Sequence, residues 1–217
     1  MHYNLSGVDS VANTFLLSLR DKTVQGDRQK FRRNLERLGM IMAYEISKKL
    51  PYEPTTVTTP LGSATANVPK RDPVLITILR AGLPFFTGFQ EFFPESNCGF
   101  IGAYREEGRG HVTIKLDYAA TPHVEGVETI VIDPMLATGR SLIDALKSLS
   151  KNGKPAHLHV ACIIASPEGL EFVHNSLKTS GTPYTIWSFN VDERLDERFY
   201  IVPGLGDAGD LSFGNKI

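Results

Sequence analysis

The chain has 217 residues, of which 41% are hydrophobic and 22% charged, values that are ordinary for a globular protein large enough to bury a substantial core. Its 23 Lys and Arg residues are balanced by 24 Asp and Glu residues, so it lacks the overall positive charge of proteins that bind nucleic acids. No apolar stretch reaches the length of a membrane span and no signal-peptide pattern opens the chain, so we expect a cytoplasmic protein that binds neither nucleic acid nor membrane.

The first third of the chain predicts two helices and a β-hairpin. Residues 10–20 suit an amphipathic helix capped near Asp9 or Ser10. Residues 27–50 carry apolar side chains every three or four positions, whereas residues 55–68 alternate as the arms of a hairpin do. Five cations fall in the first half of the second helix, at Arg28, Lys30, Arg32, Arg33 and Arg37. They are expected to form a solvated face, with a subunit contact or an effector anion site as alternatives.

From residue 74 onward, strand and helix patterns alternate. Strands are predicted at 74–79, 98–104, 129–133, 157–165 and 184–190, and a hairpin arm at 112–116. Helices are predicted at 83–93, from Ser141 to about 151, and from Ser166 onward. This succession predicts an α/β fold with a mainly parallel twisted sheet flanked by helices, to which the N-terminal helices and the hairpin are added. Because there is no internal repeat or linker, a single domain over residues 1–217 is expected.

Polar residues follow four of the predicted strands, namely Arg80, Arg105, Asp133 and Ser166. In parallel sheets, ligands bind beyond the carboxyl ends of the strands. Residues 133–141 form a small-residue loop that leads into a helix, which is an arrangement that points backbone N–H groups at an anion. The loop matches neither the Walker A motif nor the dinucleotide fingerprint. It predicts a site for a phosphorylated sugar, although many such units bind nothing.

The two arginines and a glycine-rich segment complete this prediction. Arg80 suits a phosphate or diphosphate, or else a carboxylate at the edge of the core. Arg105 would be a second clamp, on a segment (105–120) that could close as a lid. Residues 200–210 contain too many glycines for a regular helix or strand and are either a surface tail or a rigid loop. As a loop, their backbone groups match the hydrogen-bonding edge of uracil.

Four motifs closely resemble those of uracil phosphoribosyltransferases. They are Ile-Leu-Arg-Ala-Gly at 78–82, Tyr-Arg at 104–105, Asp-Pro-Met-Leu-Ala-Thr-Gly-Arg-Ser at 133–141 and Tyr-Ile-Val-Pro-Gly-Leu-Gly-Asp-Ala-Gly-Asp at 200–210. The resemblance covers roughly residues 27–217 and implies the type I phosphoribosyltransferase fold. It implies the reaction of uracil with 5-phosphoribosyl diphosphate (PRPP) to give UMP and diphosphate, in pyrimidine salvage. It also implies Mg²⁺ bound with PRPP and not by a dedicated protein site, a homodimer or higher homo-oligomer, and GTP as an effector.

Site residues follow from the resemblance by position. Asp133 would face the ribose hydroxyls, Arg80 and Arg105 the diphosphate, and Asp207 both substrates. The implied PRPP-binding residues are Arg80, Arg105, Asp133, Pro134, Met135, Leu136, Ala137, Thr138, Gly139, Arg140, Ser141 and Asp207. The implied uracil-binding residues are Ile201, Gly206, Asp207 and Ala208. The implied catalytic residues are Arg105, which would stabilise the leaving diphosphate, and Asp207, which would assist uracil N1 or stabilise the cationic sugar.

The chain departs from the resembled pattern at a few positions. Pro134 replaces a second acid, as in the uracil-specific branch. Arg140 replaces a small residue and would contact either the 5-phosphate or solvent. Asp196 and Phe199 replace an Asn and a Gly before the uracil loop, and segment 105–120 differs from the commonest flap.

Two other functions stay open at this point. One is a regulator that keeps the fold and senses nucleotides or RNA without catalysis, because fold does not fix function. The other is a purine phosphoribosyltransferase. The 200–210 loop is the feature that discriminates between a uracil enzyme and a purine enzyme.

Overall fold

A computed structural model describes residues 1–108 and 111–215, except for the side chains of residues 103–117. Its strands are β1 (His2–Asn4), β2 (Tyr52–Thr59), β3 (Gly62–Pro69), β4 (Val74–Leu79), β5 (Cys98–Gly108), β6 (His111–Ala120), β7 (Glu128–Ile132), β8 (Met135–Leu136), β9 (His157–Ala165), β10 (Tyr184–Val191), β11 (Arg194–Leu195) and β12 (Ile201–Val202). Its α-helices are α1 (Val11–Arg20), α2 (Arg28–Ser47), α3 (Gly82–Phe92), α4 (Arg140–Leu149), α5 (Pro167–Lys178) and α6 (Ala208–Phe213). Single 3₁₀ turns form at Leu5–Gly7 and Ser150–Asn152.

The central sheet has eight strands in the order β1-β10-β9-β7-β4-β5-β6, with β8 paired to β9. Every neighbouring pair is parallel except β5 and β6. The chain runs from β4 outward to β5 and β6 and then returns to β7 on the other side of β4. The order of the strands therefore reverses between β4 and β7, and at such a point the loops that follow the two strands diverge and leave a crevice.

Helices cover both faces of this sheet, which confirms the predicted α/β fold. Successive residues of β4 point to opposite faces, so Leu75 and Ile76 belong to different cores. Leu75 packs in the core formed with α1, α2 and α3, whereas Ile76 packs in the core formed with α4 and α5. Burial on both faces explains why this strand is apolar without alternation.

Three helices, α1, α2 and α5, begin where the sequence predicts. The side chains of Ser10, Asp27 and Ser166 each accept a hydrogen bond from a backbone N–H in the first turn of α1, α2 and α5. The second helix ends at Ser47 and not at residue 50, and α4 begins one residue before the predicted Ser141.

The β2–β3 hairpin is present and longer than predicted, with pairing from Tyr52–Pro69 to Thr59–Gly62. All of its residues are exposed apart from the half-buried Thr59 and Pro69. Its turn residue Leu61 is fully exposed, at 100%. A two-stranded ribbon with both faces open buries little apolar area within its own subunit.

Several predictions about the other strands and the C-terminal segment are wrong. Arg105 does not follow a strand end, because β5 continues to Gly108, past the predicted end at residue 104, and β6 begins at His111, one residue before the predicted 112. The reason is that β5 leaves its parallel partner β4 at Gly102 and continues as an antiparallel hairpin with β6, after a register shift. The 200–210 segment contains β12 and the start of α6. The short β1 and β8 were not predicted.

Candidate functional site

The loop at residues 133–141 is fixed to the neighbouring strand β9. The backbone N–H of Asp133 donates to the carbonyl of Ala161 at 3.1 Å, and the carbonyl of Pro134 accepts from Ile163 and Ile164 at 2.9 and 3.1 Å. Met135 and Leu136 then pair with β9 as β8. The predicted phosphate loop therefore has a rigid first half.

The second half of this loop turns into α4 through Gly139, whose φ is +74°. Gly139 stands at the N-cap position of α4 and has no side chain to cap the helix. The backbone N–H of Arg140 is 3.4 Å from the hydroxyl of Thr138. The helix start thus presents backbone N–H groups at the carboxyl edge of the sheet, as an anion site requires.

The start of α5 packs tightly against the same loop. The Ser166 hydroxyl donates to the carbonyl of Ala137 at 2.6 Å. A Cβ on Gly169 would lie 2.1 Å from the Ala137 carbonyl oxygen, and one on Gly139 would lie 2.6 Å from a methyl of Val173. The helix start at Ser166 is predicted from the sequence, but Gly169 is not, because its only signal is its place in the first turn after Ser-Pro-Glu.

Arg80 lies in the turn after β4, next to the end of β7. The peptide bond before Arg80 is cis. Gly82 is so close to β7 that a Cβ there would be 3.1 Å from the Ile132 carbonyl oxygen. The Arg80 guanidinium donates to Asp210 Oδ1 at 2.7 Å and to the Gly214 carbonyl at 3.2 Å. The predicted diphosphate residue therefore contacts the C-terminal segment.

The 200–210 segment is a structured loop and not a free tail. Ile201 and Leu205 are buried in the core beneath it. The Val202–Pro203 bond is cis, and Gly204 and Gly206 have φ of +61° and +88°. Because the side chain of Ile201 is buried, it is unavailable to a ligand. A ligand could contact only the backbone of this segment and its exposed positions, such as Gly206.

Asp207 and Ala208 lie where this loop enters α6. Asp207 caps the helix, since its Oδ1 accepts from the Asp210 N–H at 2.9 Å. Asp207 is half-buried, whereas the side chain of Ala208 is buried. Three sequence-predicted segments, those of Arg80, Asp133 and Asp207, thus surround the point where the strand order reverses.

The remaining predicted residues are placed as follows. Asp133 is half-buried at the end of β7, and its Oδ1 is 3.5 Å from the Met135 N–H. Arg140 is exposed at the start of α4 and Ser141 is half-buried. The side chains of Tyr104 and Arg105, and most of the expected lid at 105–120, lie outside the described side chains.

The thiols offer no activated nucleophile. Both cysteines are free. Burial raises the pKa of the Cys98 thiol, and complete burial, with a smaller effect of Asp133, raises the pKa of Cys162 far above its usual range.

The described residues contain neither a cluster of metal ligands nor a helix that could span a membrane. No group of three or more His, Cys, Asp or Glu side chains in this part of the chain is arranged to hold a metal ion. None of the helices described is both long and apolar enough to cross a membrane.

Comparisons with known proteins agree on one family. The family model described as uracil phosphoribosyltransferase matches residues 9–215. A protein of that name from Porphyromonas gingivalis is 46% identical over 215 residues, covering 99% of this chain and 98% of the relative. Another from Pyrobaculum arsenaticum is 38% identical over 95% of this chain and 97% of the relative. The solved structure of the AQ2163 protein from Aquifex aeolicus covers 100% of both chains, with a TM-score of 0.87 and 31% identity.

Proposed function

The chain belongs to the uracil phosphoribosyltransferase family, and we propose from this premise how its residues carry out the reaction. The enzyme transfers the 5-phosphoribosyl group of PRPP to N1 of uracil, giving UMP and diphosphate in pyrimidine salvage. The observation that supports its site best is that the Arg80 turn, the 133–141 loop and the Asp207 segment meet where the strand order reverses.

The 133–141 loop binds the ribosyl 5-phosphate. Its support is the uncapped start of α4, where aligned peptide dipoles carry about half a positive charge. The binding residues are Asp133, Pro134, Met135, Leu136, Ala137, Thr138, Gly139, Arg140 and Ser141, with the Asp133 carboxylate toward the ribose hydroxyls. Binding the remote phosphate in a rigid loop positions C1 of the ribose for attack.

Arg80 and Arg105 bind the diphosphate. Breaking the bond from C1 to the diphosphate builds positive charge on the sugar and negative charge on the leaving group. A guanidinium has five N–H donors, and Arg80 uses two of its nitrogens for Asp210 and Gly214. The other donors remain for phosphate oxygens, so Arg80 can bind the diphosphate without leaving its protein partners.

The backbone of residues 201–208 holds uracil, with Ile201, Gly206, Asp207 and Ala208 as its contacts. Asp207 Oδ1 caps α6, which leaves Oδ2 for the substrates. From there, the carboxylate stabilises the cationic sugar or assists N1 as it attacks from the face opposite the diphosphate. No covalent intermediate with the enzyme is needed, and the raised pKa values of both thiols agree with that.

Mg²⁺ arrives with PRPP. Mg²⁺ prefers oxygen ligands and usually binds through one or two carboxylates together with substrate phosphates. Asp133 and Asp207 would supply such carboxylates to the ion that PRPP carries. When bound, the ion would neutralise charge on the diphosphate.

Other features of the chain support its proposed oligomeric state, location and domain organisation. The hairpin formed by β2 and β3, exposed on both faces, supports a homodimer or higher homo-oligomer in which a second subunit covers it. The free cysteines support a cytoplasmic location. Hydrogen bonds from Arg20 in α1 and from Gln25 in the connection between α1 and α2 to the 200–210 segment support a single domain over residues 1–217. GTP as an effector rests on the family resemblance, with no residue assigned.

The deciding experiment is an assay of the purified protein with PRPP and, side by side, uracil, hypoxanthine and adenine, each with and without Mg²⁺. UMP from uracil, dependent on Mg²⁺, with no nucleotide from the purines, is the expected result. Preference for a purine would favour the purine-specific alternative. A lack of any product, together with nucleotide or RNA binding, would favour the non-catalytic regulator.

A further inference from the structure

A buried ion pair joins the N-terminal helix α1 to the segment before the uracil loop. The Arg20 guanidinium donates to both carboxylate oxygens of Asp192, at 2.7 and 2.6 Å. The Asp192 side chain is completely buried and that of Arg20 is only 16% exposed. A bidentate pair of this kind fixes the orientation of both groups.

Both members of this pair also hold Gly204, which lies within the 200–210 segment. The Gly204 N–H donates to Asp192 Oδ2 at 2.8 Å, and the Gly204 carbonyl accepts from Arg20 Nη1 at 3.0 Å. The backbone of one residue is thus held from both sides. Its neighbour is held as well, since Gln25 donates to the Leu205 carbonyl at 3.2 Å and to the Leu19 carbonyl in α1 at 2.9 Å.

Gly204 forms the tight turn of the 200–210 segment. It comes directly after Pro203 and has a φ of +61°. A Cβ on Gly204 would lie 2.0 Å from the Ile201 carbonyl oxygen, so the chain folds back tightly on Ile201 at this point. The proposed uracil contacts, from Ile201 to Ala208, lie on both sides of this turn. A change in the turn therefore moves the backbone groups that would meet the base.

Asp192 is held in its charged form. Burial acts to raise the pKa of its carboxyl, but the hydrogen bonds from Arg20 and Asn190, the charge of Arg20 and the Gly204 N–H together keep that pKa below its usual value. Asn190 donates to Asp192 Oδ1 at 2.6 Å. Both carboxylate oxygens are therefore engaged, which gives the pair a single arrangement.

We propose that Arg20 and Asp192 are positioning residues for uracil: they set the conformation of the 201–208 backbone and thereby the affinity of the enzyme for the base. This inference rests on the proposed uracil site. It assigns a role in base recognition to α1, although no residue of α1 is among the proposed substrate contacts.

The test is steady-state kinetics of Arg20→Lys with each substrate varied in turn. Lysine keeps the charge but cannot bind both carboxylate oxygens and the Gly204 carbonyl in the planar geometry of a guanidinium. We expect the KM for uracil to rise by about tenfold or more and the KM for PRPP to change by less than about twofold. The matched control is Arg71→Lys, since Arg71 also donates to a glycine carbonyl, that of Gly126, at the other end of the sheet; neither KM should change.

The outcomes separate the possible readings. A lower melting temperature with both KM values unchanged would mean that the pair only stabilises the fold, and would overturn the inference. If Arg20→Lys does not fold, Gln25→Ala replaces it: a raised KM for uracil alone supports the inference, and an unchanged one overturns it. Wild-type protein that makes no UMP would refute the proposed function itself.

Discussion

Arg80 and Asp210 lie 130 positions apart in the chain, yet their side chains form an ion pair of 2.7 Å. Arg80 belongs to the turn proposed to bind diphosphate, and Asp210 belongs to α6, whose N-terminus is capped by Asp207. The pair therefore connects the leaving-group side of the site with the base side through one helix of six residues.

Loss of the carboxylate in Asp210→Asn should therefore weaken the binding of PRPP more than it lowers the stability of the fold. The two side chains are 37% and 33% exposed, and pairs near the surface contribute at most about 1 kcal/mol. We expect the KM for PRPP to rise by about three- to tenfold because Arg80 is less well oriented, with a small change in melting temperature. Glu45→Gln, which removes the exposed pair with Lys48, serves as the control. An unchanged KM for PRPP would show that Asp210 does not orient Arg80.

Arg105→Ala should lower turnover by roughly 10²-fold or more if Arg105 stabilises the departing diphosphate. The backbone of Arg105 lies in β5, past the point where β5 leaves β4. The measurement is kcat at saturating uracil and PRPP, compared with Arg71→Ala, since Arg71 precedes β4 and donates to the Gly126 carbonyl before β7. A kcat equal to that of wild type would remove Arg105 from this role.

Gly169→Ala should displace the 133–141 loop, proposed to bind phosphate, by crowding it from the side of α5. The new methyl would lie 2.1 and 2.8 Å from the carbonyl oxygens of Ala137 and Leu136, so the loop or α5 must move. Overpacking of this kind typically costs about 1–3 kcal/mol, and we expect a lower melting temperature together with a KM for PRPP raised about tenfold or more. Gly26→Ala is the control, because a Cβ on Gly26 meets nothing within 4 Å. Equal behaviour of the two variants would contradict the close packing.

The Asp192 carboxyl should make stability depend on pH in the acid range. Its pKa is lowered from 3.8 by folding, so its contribution is present above the unfolded value and is lost as the pH falls through the lower folded-state pKa. Urea unfolding of wild type and Asp192→Asn should give a stability difference that is constant above about pH 5 and shrinks below pH 3.8. A difference that stays constant down to pH 3 would mean that folding does not shift this pKa.

The sequence predicts most of the sheet and helices because their signals are local. The apolar run of β4 and the helix starts at Ser10 and Ser166 depend on neighbouring residues alone. The continuation of β5 past Tyr104 to Gly108 could not be predicted in this way, because it is stabilised by pairing with β6. The two-residue β8 depends on β9 in the same manner.

The residues of the candidate site likewise differ in whether local sequence patterns predict them. Arg80, Asp133 and the 200–210 segment were found from motifs, since each carries its own local pattern. Arg20 and Asp192 have no such local pattern. From the sequence, Arg20 is only the last residue of an amphipathic helix, and its partner Asp192 is 172 positions away. Asp210 was part of a recognised motif, but its contact with Arg80 required the fold.

The position of β1 has a consequence for how the protein is made. His2, Tyr3 and Asn4 pair in parallel with residues 186–188, at the edge of the sheet. During synthesis on the ribosome, this segment is translated before the other strands described, but its partner β10 is translated only after eight more of them, β2 to β9. The edge of the sheet and the Arg20–Asp192 contact can therefore form only after β10 and Asp192 have been translated, so that the proposed uracil-binding segment, which this contact holds, takes its final shape late in synthesis.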